Sequence, residues 1–143
     1  MTTTGSGAAP ASDQAYLQSI YPYASQAASQ LGVPVSAVLA QSALETGWGT
    51  SNAWQNLNNP AGINVAGAAT GENYAAYSSP AAGYAAYANL VASQYPGAVG
   101  ASTPYQYANA LAAGGWATDP YYASKIDAIA NGPTIQGFLG GVA

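Results

Sequence analysis

The chain has 143 residues, room for one domain, and only 4% of them are charged, against about 25% in an average globular protein. Lys125 is the sole basic residue and the formal net charge is −4, so the chain can neither neutralise a row of phosphates nor be drawn to an anionic membrane. It has no Cys and no His, which excludes Ser-His-Asp and Cys-His nucleophiles, histidine acid–base catalysis and Cys/His zinc sites; carboxylates are left as the catalysts of any enzyme here, and no metal or cofactor is expected.

Residues 1–11 are small and polar and read as a flexible arm, so the expected domain runs over 12–143. No basic and apolar leader is visible, and no apolar run is long enough to span a bilayer. Either a leader has been removed, or the protein leaves its host by another route, such as phage lysis or virion assembly. Ser12 or Asp13 is placed to cap a first helix, along which Tyr16, Ile20, Ala24, Ala27 and Leu31 recur at steps of three or four. Pro22 either kinks or divides it, and Gly32 ends it.

Pro34 suits the first turn of a second helix, with Val35, Val38, Leu39, Ser42 and Ala43 on a face that another helix can approach closely. That pattern stops at Gly47 and Gly49, and a turn with a short helix is expected around Ser51 to Trp54. Gln55 to Gly71 reads as a loop with a short strand near Ile63, and Glu72 to Tyr77 as a second short strand. Pro80 opens a further helix with Tyr84, Tyr87, Ala88 and Val91 on one side. Thr103 and Pro104 look like the cap and first position of the next, ending at Gly114 and Gly115. Asp119 and Pro120 repeat that signature for a last helix ending at Asn131 and Gly132. The Gly-rich tail, Pro133 to Ala143, is expected to dock through Ile135, Phe138 and Leu139. The fold class is therefore mainly α, with a thin Ala-rich core and bulk from Tyr and Trp.

Glu45 lies in the last turn of the second helix, in Ala40-Gln41-Ser42-Ala43-Leu44-Glu45-Thr46-Gly47-Trp48-Gly49. The partial negative charge of the helix C-terminus opposes its ionisation, and apolar neighbours such as Leu44 and Trp48 can desolvate it. Both raise the pKa, as a general acid near neutral pH requires. Glycines 47 and 49 would let a bulky polymer reach the helix end. The alternative is an ordinary exposed helix carboxylate, in a chain that avoids charge elsewhere.

The stretch Ala40 to Gly49, followed by Asn58-Asn59-Pro60-Ala61-Gly62-Ile63, resembles glycoside hydrolase family 73, the endo-β-N-acetylglucosaminidases that include flagellar rod hydrolases and autolysins. A third segment, Gly114-Gly115-Trp116-Ala117-Thr118-Asp119-Pro120-Tyr121-Tyr122-Ala123-Ser124-Lys125-Ile126, resembles the family's Gly-Tyr-Ala-Thr-Asp-Pro-x-Tyr-Ala-x-Lys. The three occur in family order. The resemblance implies a lysozyme-like helical domain with a small β-lobe bordering a substrate cleft. It also implies cleavage of the β-1,4 bond between N-acetylglucosamine and N-acetylmuramic acid in peptidoglycan, with Glu45 as catalytic acid. The chain departs from the family in lacking an aromatic and a Lys near Ile63, in the shortness of the segment from Ile63 to Tyr77, and in Trp116 where the family has Tyr.

Glycosidases usually pair the acid with a second carboxylate. Glu72 is the candidate, as general base or as stabiliser of a cationic centre; it is otherwise a charged loop residue, and the substrate's acetamido group would then serve. Asp119 reads as a helix cap rather than a catalyst, and Lys125 and Asp127 as solvated positions. Trp48, Trp54, Tyr74, Tyr77 and Trp116 are either sugar platforms or core aromatics. Asn58 and Asn59 either bind acetamido groups or hold their own loop's backbone. The expected partner is the peptidoglycan glycan strand, met in the cell wall, the periplasm or outside the cell. The alternatives are a muramidase or lytic transglycosylase, and a non-catalytic virion, tail or wall-binding module.

Overall fold

The computed structural model describes residues 11–65 and 73–142, and these form a mainly helical domain. Helix α1 (Ala11–Leu31) begins before Ser12 and Asp13, so neither caps it; Asp13 instead sits in the first turn, where a carboxylate meets the positive end of the helix dipole. Pro22 lies inside α1 without dividing it. The inward face expected from the spacing is the observed one: Tyr16, Ile20, Ala24, Ala27 and Leu31 are all buried. Most of residues 1–11, the expected arm, lie outside the described residues.

Helix α2 (Val35–Thr46) is the central element and packs against α1 and against the later helices α5 (Pro104–Ala113), α6 (Tyr122–Ala130) and α7 (Pro133–Val142). Pro34 caps it in extended conformation instead of opening its first turn. Ala37, Val38, Leu39, Ala40, Gln41, Ser42, Ala43 and Thr46 are all buried, so α2 is enclosed on more than the single face its sequence suggested. It ends at Gly47, whose left-handed φ of 57° is accompanied by hydrogen bonds from the Gly47 and Trp48 amides to the Ala43 carbonyl. Helix α3 (Asn52–Leu57) follows, capped by Ser51 Oγ accepting from the Trp54 amide.

The expected β-lobe is reduced, among the described residues, to one antiparallel bridge between Asn64 and Tyr74. Its flanking bonds run from the Val65 amide to the Asn73 carbonyl at 2.7 Å and from the Ala75 amide to the Ile63 carbonyl at 2.8 Å. Helix α4 (Pro80–Gln94) starts at the expected proline and is capped by Ser79; α5 (Pro104–Ala113) starts at Pro104 and is capped by Thr103. Tyr84, Tyr87, Ala88 and Val91 are buried. A single 3₁₀ turn, Pro96–Ala98, links the two helices.

Helix α6 (Tyr122–Ala130) begins later than expected. Asp119 does not cap it: its Oδ1 accepts from the Tyr121 amide at 2.8 Å and its Oδ2 pairs with Lys125 Nζ at 2.6 Å, so Asp119 holds the turn that precedes the helix. The tail is a seventh helix, α7 (Pro133–Val142), in spite of Gly137, Gly140 and Gly141. Burial of Ile135 and Phe138 against the core, at about 1.5–3 kcal/mol per large apolar side chain, outweighs roughly 1 kcal/mol per helical glycine. No helix among the described residues is long and apolar enough to cross a membrane.

Candidate active site

The end of α2 turns through three consecutive left-handed residues, Gly47, Trp48 and Gly49, with φ of 57°, 57° and 86°. Trp48 carries this conformation with a full side chain, which is strained for an aromatic residue. Gly49 is required twice over: its φ is left-handed, and a Cβ there would stand 2.5 Å from Tyr16 Cδ1. The turn is pinned beneath by the Thr46 hydroxyl, which accepts from the Gly49 amide at 2.9 Å and lies 3.0 Å from the Tyr16 hydroxyl. Trp48 and Trp54 both pack edge-on against Tyr16.

This turn sets Glu45 at the wall of a cleft of about 200 Å³, together with the cap Ser51, with Asn52 and Ala53 of α3, and with the Asn59, Gly62 and Tyr74 side. The Glu45 side chain is half-buried. Trp116 Nε1 donates to its Oε2 at 3.1 Å and Tyr122 Oη donates to the same oxygen at 2.8 Å. The other oxygen, Oε1, faces Gly62: a methyl group on Gly62 would stand 3.7 Å from Oε1 and 3.8 Å from Tyr74 Cε1. Burial pushes the Glu45 carboxyl above its ordinary range, and the bonds from Tyr122 and Trp116 pull the other way without cancelling it. Burial, together with the nearby Glu45 charge, raises Tyr122 far above its own range, so it remains a neutral donor.

The arrangement defines where a proton sits. Indole nitrogen can only donate, and Tyr122 spends its one proton on Oε2. With two donors on Oε2, the neutral acid carries its proton on Oε1, on the cleft side. A group held there can protonate an oxygen entering the cleft. Once ionised, it finds two donors already aimed at its charge.

The remaining sequence candidates separate clearly. Trp116 is only 2% exposed, too buried to be a sugar platform; its ring packs against Tyr87 and Tyr95, and its role is to donate to Glu45. Asn59 is fully buried, donates to the Ile63 and Ala75 carbonyls at 2.6 and 2.9 Å, and accepts from the Ala61 and Ile63 amides. Asn58, in left-handed conformation at the end of α3, donates to the Tyr77 carbonyl. Both asparagines thus hold backbone, the second of the two readings open to them. Tyr74 is 43% exposed at the cleft, whereas Trp48 and Tyr77 are half-buried. Glu72 lies outside the described residues, and among those described no second carboxylate lines the cleft. Sequence reasoning missed Gln41 and Tyr122 as site residues, although both stand inside the quoted motif segments. A larger groove of about 330 Å³ between α1 and α4 has no carboxylate in its wall, so the chemistry favours the smaller cleft.

The chain is similar to known proteins over most of its length. The family described as mannosyl-glycoprotein endo-β-N-acetylglucosaminidase matches residues 21–133. The peptidoglycan hydrolase FlgJ of Vibrio parahaemolyticus is 49% identical over 51 residues, which is 34% of this chain but only 17% of that protein. Among solved structures, the peptidoglycan hydrolase of Sphingomonas sp. A1 has a TM-score of 0.79 at 32% identity, over 91% of this chain and 95% of that one. The glycoside hydrolase domain of Salmonella typhimurium FlgJ gives 0.71 at 27% identity, covering 91% and 92%. The catalytic domain of the Listeria monocytogenes autolysin Auto gives 0.72 at 25% identity, covering 92% and 89%.

Proposed function

The chain belongs to the endo-β-N-acetylglucosaminidase family of glycoside hydrolases, and on that premise we propose that it hydrolyses peptidoglycan at the β-1,4 bond between N-acetylglucosamine and N-acetylmuramic acid, with Glu45 as general acid. Family and fold bear out the resemblance to glycoside hydrolase family 73 and the lysozyme-like architecture. The observation that carries the mechanism is the pair of donors on Glu45 Oε2, which leaves Oε1 to face the cleft beside Gly62. In this reading Oε1–H protonates the glycosidic oxygen as the bond to the anomeric carbon breaks. The electron pair of that bond leaves with the oxygen, and the new carboxylate is stabilised by Trp116 and Tyr122. Because those donors gain strength as negative charge develops, they favour the transition state over the ground state.

The positive anomeric centre needs a partner and a water molecule. Glu72 is proposed as the base that activates the water; the substrate's acetamido oxygen would act as internal nucleophile in its place. Tyr74, Trp48 and Tyr77 are proposed to contact sugar rings, Tyr74 foremost because it is exposed beside Glu45. The place of action is the cell wall, reached from the periplasm or from outside the cell.

Mass spectrometry of digested peptidoglycan tests the proposal. Wild-type protein is expected to release fragments with N-acetylglucosamine at the reducing end, and a folded Glu45→Gln protein none. Wild-type-like lysis by that variant would sink the acid assignment. Anhydro-muramic ends would mark a transglycosylase, and muramic acid reducing ends a muramidase. For Glu72→Gln a large loss of activity is expected, and full activity would point to substrate assistance.

A further inference from the structure

A chain of hydrogen-bonded side chains runs from Glu45 into the centre of the fold. Tyr122 Oη donates to Glu45 Oε2 at 2.8 Å, Gln41 Nε2 donates to Tyr122 Oη at 2.9 Å, and Tyr87 Oη donates to Gln41 Oε1 at 2.5 Å. Tyr87 Oη is also hydrogen-bonded to Tyr107 Oη. The members come from α6, α2, α4 and α5, and Gln41, Tyr87 and Tyr107 are at most 2% exposed.

Counting protons fixes the direction of this chain. Each tyrosine has one O–H, and an amide donates only through its nitrogen. With donation running towards Glu45, Tyr107 gives its proton to Tyr87, Tyr87 to Gln41 Oε1, Gln41 Nε2 to Tyr122, and Tyr122 to the carboxyl group. Every hydroxyl proton then has an acceptor. In the reverse direction the Gln41 amide is turned over, Glu45 donates from Oε2, and Tyr107 is left with a buried proton and no acceptor among the described residues. A buried donor without an acceptor is costly. Trp116, which can only donate, already occupies Oε2 and also opposes the reverse.

We infer that Gln41, held by Tyr87, is a positioning residue: its amide sets the direction of donation, so that Glu45 Oε2 stays an acceptor and the acid presents its proton from Oε1 towards the cleft. The inference rests on the reading of Glu45 as the acid and extends it to side chains that never touch substrate. Linked donors polarise one another, so an effect that begins at Tyr87 reaches the carboxyl group.

Two variants test it on soluble, uncrosslinked glycan strands. Tyr87→Phe removes one oxygen, leaves Gln41 Oε1 without its donor and frees the amide to turn; Gln41→Leu cuts the chain. In both, kcat is expected to fall about tenfold, part of the 10²–10⁴ that a general acid contributes, with KM little changed. The alkaline limb of kcat/KM is expected to move upward: in Tyr87→Phe the turned amide offers Tyr122 a second acceptor in competition with the carboxylate, and in Gln41→Leu Tyr122 still donates to Glu45 but is no longer polarised by the amide behind it. A core change such as Ile20→Val lowers stability without moving that limb, which separates positioning from packing. A carbon-13 titration of the Glu45 carboxyl group in Tyr87→Phe reads the same upward shift without reference to turnover. Wild-type kcat and an unmoved Glu45 titration in folded Tyr87→Phe, alongside an inactive Glu45→Gln, would overturn this inference and leave the acid assignment standing. An active Glu45→Gln would overturn both.

Discussion

Trp116 Nε1 and Glu45 Oε2 stand 71 positions apart in the chain and 3.1 Å apart in space. The bond joins the end of α2 to the loop that leads into α6, so the geometry of the acid depends on how the last third of the chain packs. Trp116→Phe keeps a buried ring but removes the donor. The hydrogen bond favours the ionised carboxyl group, so its loss is expected to raise the Glu45 pKa further and to shift the alkaline limb of the pH–rate profile upward. A stability loss on the order of 1–3 kcal/mol accompanies the smaller side chain. The pH dependence of lysis, followed beside urea denaturation, separates the two effects; an unmoved limb would show that Trp116 acts through packing only.

Glu45 should also cost the protein stability at neutral pH. Its folded pKa lies above its unfolded value, chiefly through burial, so the folded state binds the proton more tightly. The favourable contribution is fully present below the unfolded pKa and is lost as pH rises through the folded one. Glu45→Gln removes the ionisation, and its amide oxygen can still accept from Trp116 and Tyr122. The variant is expected to melt a few degrees above wild type at neutral pH, with the difference shrinking as the solution is acidified below the ordinary glutamate range. Differential scanning calorimetry at both pH values checks this, and equal melting at neutral pH would argue against a strained carboxylate.

What the sequence revealed and what it hid follow from the range of the interactions concerned. Ser79-Pro80 and Thr103-Pro104 mark helix starts because cap and proline act within one turn. Glu45 was legible because the helix end and the glycines that shape its surroundings are its neighbours in the chain. Gln41 and Tyr122, by contrast, meet across 81 positions, and no periodicity records a tertiary pair of that kind. Trp116 stayed open between platform and core because composition cannot tell an indole facing sugar from one facing a carboxyl group. Helix α7 was hidden by its three glycines, whose poor propensity is overridden by docking of Ile135 and Phe138. Asp119 misled as a cap because Asp-Pro serves a turn as readily as a helix start.

Asn59 should be among the most sensitive positions in the cleft without touching substrate. It meets the Ile63 and Ala75 carbonyls and the Ala61 and Ile63 amides with one buried side chain. Asn59→Ala strands those groups, and each buried unsatisfied group costs about 1–3 kcal/mol before water enters. With water replacing some of the bonds, a net loss of roughly 2–4 kcal/mol is expected. The damage should concentrate where Ile63 pairs with Ala75, opposite Glu45. Chemical denaturation gives the magnitude, and faster hydrogen exchange at the Ile63 and Ala75 amides gives the location; a uniform change over all helices would contradict the assigned role.

The scarcity of charge makes a last prediction about how the protein meets its polymer. Lys125 is the chain's single basic residue, and it is already paired with Asp119 at 2.6 Å on the surface. With a net charge of −4 there is no cationic face for an anionic wall to attract. Substrate capture must then rest on ring contacts and hydrogen bonds in the cleft, which salt screens little. Raising the ionic strength should leave the rate of wall lysis flat, or increase it by screening like-charge repulsion, opposite to the behaviour of a protein that holds the wall through Lys and Arg. Turbidity loss of purified sacculi over a salt series is the measurement. A steep fall with salt would mean that charge governs capture, and that Lys125 is released from Asp119 to take part in it.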